Sequence, residues 1–350
     1  MSTSEKRTEL RVCLPVPPYA IMAHLLLTDS LGYAEEEGLS VDFIIVDGPD
    51  TAIEGVGEGQ FDVAVGNAVF AFRMREREVP VRAFYSTCRG VYRSFAVLAD
   101  SPISTVAELR GRRIGTDFPD LLDLAFPTLR DEGLDPENDV TFLPRSIPIP
   151  GVAPTAVELE RIAGGELDAI WVLGCAYQML IADGLSLRRL PTRTLDGLTP
   201  SELLYANEEV LLGSPDALAG FGRAVAKASV FCDANPEAAV RLVWEHFPEA
   251  RPAPGDEERA LRRDVAGLRG RTERGRPQHG REPSWGSITT DEVQDWEDFL
   301  LANGGIQRRR PLGEYFEPGL VDAFNDFDPG AVEAQARHWP AAHRHLGTPG

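Results

Sequence analysis

A quasi-repeat inside this 350-residue chain constrains its fold more than any other feature. The first copy opens on an apolar run, Leu10-Arg-Val-Cys-Leu-Pro-Val16, which reads as a buried strand. A Pro17-Pro18 turn, a helical pattern from Ala20 to Leu31 and Glu37-Gly38-Leu39 follow. A strand over Val41 to Val46 and a helix over Asp50 to Glu58 lead to Gly59-Gln-Phe-Asp62 and a second apolar run ending at Gly66-Asn67-Ala68. The second copy has the same order. It runs from Arg113-Ile-Gly115 through a turn at Thr116-Asp117-Phe118-Pro119, a helix over Leu121 to Arg130, and Glu132-Gly133-Leu134. A strand over Val140 to Leu143 and a helix over Ala156 to Ala163 then reach Gly165-Glu-Leu-Asp168 and an apolar run ending at Gly174-Cys175-Ala176.

Each piece has a mechanical meaning. A Gly just past a helix takes the left-handed cap conformation, and the Leu after it packs back on the last turn. Short apolar strands alternating with helices predict an α/β fold, with mostly parallel sheets flanked by helices. The chain is too long for one ordinary core, so two lobes are expected, with the ligand cleft between them. Sheets of this kind bind ligands outside the carboxyl ends of their strands. Those ends are the turns after Val16, Val46, Val65, Ile114, Leu143 and Leu173.

The predicted domain plan is discontinuous. Residues 1–97 and 206–350 form lobe 1, and residues 98–205 form lobe 2. The outward crossing falls near Phe95 to Ala99 and the return near Leu203 to Val210. Helical patterns over Asp216 to Ala234, Pro236 to His246 and Thr290 to Asn303 complete the first lobe. Residues 250–284, rich in Arg, Gly, Pro and acids, read as a mobile solvated insertion.

A formal net charge of -20 argues against nucleic acid as a partner, because phosphate binding needs a basic surface. No apolar stretch is long enough to insert in a membrane. The polar start, without an apolar leader segment, predicts a cytoplasmic protein; an ABC permease would be a partner only of an exported form. Four separated cysteines and six histidines without ligand spacing predict neither a disulfide framework nor a metal site.

Candidate site residues follow from the strand-end turns. Pro17, Tyr19, Asn67, Ala68, Thr116, Asp117, Gly174, Cys175 and Tyr177 lie in or beside them. Asp50 and Thr51 start a helix directly after a strand, where they would cap it and border an anion site. Arg89, Arg93 and Arg145 are the candidate clamps for an anion, since the guanidinium fork matches planar oxyanions. Cys13, near the cleft end of the first strand, is the candidate nucleophile, and His24 the candidate general base.

Several stretches are similar to the SsuA/THI5-like (NMT1) group of type II periplasmic binding proteins. They are Gly32-Tyr33-Ala-Glu-Glu-Glu-Gly38-Leu39, Gly59-x-x-Asp62, Asp100-Ser101-Pro102-Ile103 with Glu108-Leu-Arg-Gly-Arg-Arg-Ile-Gly115, Gly165-Glu-Leu-Asp168-Ala169, Trp285-Gly286 and Asn325-Asp-Phe-Asp328. The resemblance implies a two-lobed protein closing by hinge motion on a small ligand, such as a sulfonate, carboxylate or pyrimidine-like compound. It also implies an alternative: a cytoplasmic, cofactor-independent lyase or hydrolase on the same frame. Cys13-Leu14-Pro15-Val16-Pro17 and Phe299-Leu300-Leu301-x-Asn303 resemble the hydroxybiphenyl sulfinate desulfinases, which would make Cys13 the nucleophile. The stretch where that family's catalytic His and Arg fall, Asp50 to Gly66, contains neither. The pyrimidine synthases of the group would require a lysine for pyridoxal phosphate, and the chain has only Lys6 and Lys227. No cofactor is expected.

Overall fold

The computed structural model describes residues 7–89, 93–116, 122–144, 161–162, 164–275 and 284–339. Among the described residues ten strands, numbered in chain order, form two five-stranded sheets. β1 (Thr8–Leu14), β2 (Leu39–Ile45), β3 (Val63–Asn67), β4 (Val81–Cys88) and β10 (Glu202–Asn207) make the first, in the order β2-β1-β3-β10-β4. β5 (Arg93–Leu98), β6 (Arg112–Thr116), β7 (Val140–Pro144), β8 (Ala169–Leu173) and β9 (Leu187–Arg189) make the second, in the order β7-β6-β8-β5-β9. The two orders are the same. Three parallel strands are followed by one antiparallel strand that arrives from the other half of the chain.

The repeat is visible atom by atom. Asp62 Oδ2 accepts from the Arg11 backbone N–H at 2.8 Å, while the Arg11 guanidinium reaches the Gly59 carbonyl. In the second copy Asp168 Oδ2 accepts from the Arg113 N–H at 2.9 Å, and Arg113 reaches the Gly165 carbonyl. Each Asp thus pins the start of its own strand to the neighbouring first strand. The Gly that opens the motif sits at φ +74° or +72°, where a side chain would be strained.

The crossings lie earlier than their apolar character suggests. The chain leaves the first sheet after Cys88 and enters the second at Arg93; it leaves the second after Arg189 and returns at Glu202. The runs Ser94 to Leu98 and Leu203 to Ala206 are inner strands, buried on both faces, and not linkers.

Residues 250–284 are also not the solvated insertion the composition predicts. Within the described part they form mainly a 19-residue helix, Glu257–Gly275. It packs on the Gly174–Ala182 helix of the second lobe and on the Ala20–Met22 turn and the Pro236–His246 helix of the first. The seam is lined by small residues: a Cβ on Gly267 would stand 2.8 Å from both Ile21 Cγ2 and Met179 Cγ. Ala260, Val265 and Leu268 are buried beside it. No helix among the described residues is long and apolar enough to cross a membrane.

Candidate functional site

Two cross-strand pairs define the candidate site. At the carboxyl end of β3, Asn67 lies directly opposite Glu202, the first residue of β10. At the carboxyl end of β8, Leu173 lies directly opposite Arg93, the first residue of β5. These positions correspond in the two halves of the repeat, and all four residues line one cavity of about 70 Å³. A single enclosed water needs roughly 10–15 Å³ by the same measure, so the space suits several waters or a compact polar group. Pro15 and Val16 after β1, Tyr19, Ile21, Met22, Pro49 and Phe70 supply a largely apolar wall, and Arg271 enters from the Glu257–Gly275 helix.

The charged members of the described lining are Arg93, Glu202 and Arg271, which are 0%, 3% and 6% exposed. Glu202 Oε2 is ion-paired with Arg271 and accepts from Thr87 Oγ1 at 2.9 Å. Such a pair tolerates burial only because both partners are present. Removing one typically costs about 3–5 kcal/mol. Asn67 Oδ1 accepts from the Val69 backbone N–H at 3.0 Å, which orients the amide and leaves its NH₂ as the free end.

The other expected residues are placed as follows. Tyr19 and Arg93 line the cavity with Asn67; Ala68 begins the adjoining helix, buried. Pro17 is half-buried beside the wall without lining it. Asp50 and Thr51 do not cap their helix: Gly48 is the N-cap and Pro49 the first helical residue. Asp50 instead faces Arg73 and Arg77, and Thr51 is exposed. Thr116 ends β6, buried, outside the lining, and Asp117 and Arg145 lie outside the described residues. Gly174 and Cys175 open the helix after β8, where the Glu257–Gly275 helix covers them: a Cβ on Gly270 would approach Cys175 Cα at 3.9 Å. Tyr177 donates to the Leu187 carbonyl at 3.0 Å and faces β9. Arg89 is engaged by Glu292 and the Ser287 carbonyl.

Cys13 does not reach the cavity. It pairs with Ile44 and Ala64 inside the sheet, fully buried in an apolar cluster, and burial pushes its thiol up to about 12. A thiol held protonated there is no nucleophile at neutral pH. His24 is 2% exposed and outside the lining; burial, and then the Arg271 guanidinium, hold it well below the usual imidazole range. Lys227 is ion-paired with Glu36 and Glu37 away from the cavity, and Lys6 lies outside the described residues. Glu202 and Arg271 escape the strand-end logic because they come from a return strand and a polar helix. One signal for Glu202 was available: like Arg93, it is a lone charge heading an apolar run.

Comparison with known proteins bears on the family and the fold. A family model described as NMT1/THI5 like matches residues 21–239. The 4-amino-5-hydroxymethyl-2-methylpyrimidine phosphate synthase of Aspergillus parasiticus is 25% identical over 250 residues, covering 67% of this chain and 68% of that one. The periplasmic aliphatic sulphonate binding protein SsuA of Escherichia coli has a TM-score of 0.65 at 14% identity, over 90% of this chain and 93% of that one. The desulfurization enzyme DSZB has a TM-score of 0.57 at 16% identity, over 91% and 99%. At such identities the structural likenesses establish the periplasmic-binding-protein fold. The family match spans more than half of the chain, which therefore belongs to the NMT1/THI5-like family.

Proposed function

We propose that this protein binds a small organic oxyanion, a carboxylate or sulfonate with an apolar body, in the cavity between its lobes. The observation that carries the reading is the fully buried Arg93 on an otherwise largely apolar wall, with the Asn67 amide and Arg271 lining the same space. A guanidinium in a water-poor site offers two parallel N–H donors to a planar or tetrahedral oxyanion. The Tyr19, Ile21, Met22 and Phe70 side chains accept the apolar remainder. Titration calorimetry against alkylsulfonates, aromatic carboxylates and pyrimidine carboxylates tests this. Arg93→Met is expected to weaken the best anion about 10- to 100-fold, the worth of one hydrogen bond to a charged group. Unchanged affinity in a folded Arg93→Met protein, or no binding across the panel, would sink the reading.

A further inference from the structure

We propose that the Glu257–Gly275 helix is a fixed brace between the lobes, so that this protein takes its ligand without the hinge opening that a two-lobed frame otherwise permits. The inference holds whatever the ligand.

The helix fills the gap between the lobes at a single residue. A Cβ on Gly267 would stand 2.8 Å from Ile21 Cγ2 of the first lobe and equally close to Met179 Cγ of the second. Three residues on, a Cβ on Gly270 would lie 2.7 Å from Gln178 Cγ. Cys175, Gln178 and Met179 share one face of the Gly174–Ala182 helix, so the two glycines run along a continuous seam. Cys175 and Met179 are buried under it. Parting the lobes here would return close-packed apolar surface to water.

Polar bonds anchor the same helix on both sides. Towards the first lobe, Arg271 pairs with Glu202, and Asp264 Oδ2 accepts from Trp244 Nε1 at 3.2 Å, with all four side chains buried. Towards the second, Arg259 Nε donates to Asp183 Oδ1 at 3.0 Å. A buried ion pair resists being drawn apart, because each charge left alone keeps its desolvation cost.

A second tie stands elsewhere. Arg130 Nη1, on the second lobe, donates to the Asn303 carbonyl at 3.1 Å, and the Gln307 N–H donates to Glu76 Oε1, on the first, at 2.6 Å. A Cβ on Gly305, between them, would meet Pro127 Cγ of the second lobe at 3.2 Å. Met179 and Leu268 at the helix share a cluster with Val12 and Leu14 of β1, whereas Leu300 and Ile306 at the second tie share one with Cys13. Alternate residues of a strand point to opposite faces, so the two ties flank the first sheet on both sides. A hinge needs one free side, and this arrangement leaves none.

Two disulfide staples test the brace. Gly270→Cys with Gln178→Cys sets Cβ atoms 3.4 Å apart, close to the spacing of a natural bridge, and ties the helix to the second lobe. Gly267→Cys with Ile21→Cys ties it to the first. With both bridges closed the lobes cannot part; once reduced, they part as far as their packing allows. Small-angle scattering without ligand is expected to give one radius of gyration for the oxidised, reduced and wild-type proteins. Each pair is also made alone, so that a folding failure of the fourfold variant leaves the comparison intact. In stopped flow, the best anion of the panel above is expected to associate at the same rate, within about twofold, with oxidised and reduced Gly270→Cys/Gln178→Cys protein. A reduced or wild-type protein larger than the stapled one, association slowed about tenfold or more by oxidation, or failure of the Gly270 and Gln178 pair to bridge overturns the brace. Should no anion bind, the oxyanion reading falls and scattering alone decides the brace.

Discussion

His24 lies two residues beyond the cavity-lining Met22, and both its ring nitrogens are buried without a hydrogen bond among the described residues. Desolvation, then Arg271, hold its folded-state pKa well below 6.5. The unfolded chain takes up a proton near 6.5 and the folded protein does not, so stability falls as pH drops below that value. Melting temperatures at pH 7.5 and 5.5 check the sign: wild type is expected to lose more on acidification than His24→Leu. A variant with an equal or larger loss would show that another group governs the window. Cys13 shows the same control by burial. Its Pro-Val-Pro context resembles a nucleophile's, yet an interior strand position with no cation beside it keeps the thiol protonated.

At the scale of elements, the Glu257–Gly275 helix decides most about the site, because it delivers Arg271 while packing on both lobes. Its close approach depends on Gly267, whose missing Cβ makes room for Ile21 and Met179. Gly267→Leu is expected to destabilise by about 1–3 kcal/mol or more through overpacking, read as a lower urea midpoint, and to weaken ligand binding by displacing Arg271. A midpoint unchanged from wild type would contradict the packing seen here. This helix also marks where sequence reading stops. The repeat was legible because Gly caps, Gly-x-x-Asp turns and apolar strands impose their signals locally, and Asn67, Arg93 and Tyr19 follow from the strand ends it located. The helix was not, because it buries glycines and a charged group, Arg271, whose partner Glu202 lies 69 residues away in the chain. Asp50 misled for a related reason: a Gly and a Pro ahead of it had already started the helix.

Over the whole molecule, the two lobes are joined by more than the crossing strands. Arg73, on the Val69–Glu76 helix, is ion-paired with Asp123 on the Leu122–Asp131 helix of the other lobe. These side chains are about one quarter to one third exposed, which limits their contribution to roughly 0.2–1 kcal/mol. Arg73→Ala is accordingly expected to speed ligand release by up to about fivefold in stopped-flow measurements, with little change in melting temperature. Unaltered release would mean that closure does not depend on this contact.

β5 and β10 carry a consequence for how such a protein can diverge. β5 to β9 are consecutive in the chain and β10 returns to the sheet of β1 to β4, so the second lobe is one uninterrupted stretch of gene and the first is two. Separating the two pieces of the first lobe removes its inner strand β10 and exposes the edges of β3 and β4. The second lobe can therefore be replaced as one cassette, whereas the first cannot. Because Asn67 and Glu202 stand on the first sheet and Leu173 and Arg93 on the second, such a replacement would renew one side of the cavity and keep the other.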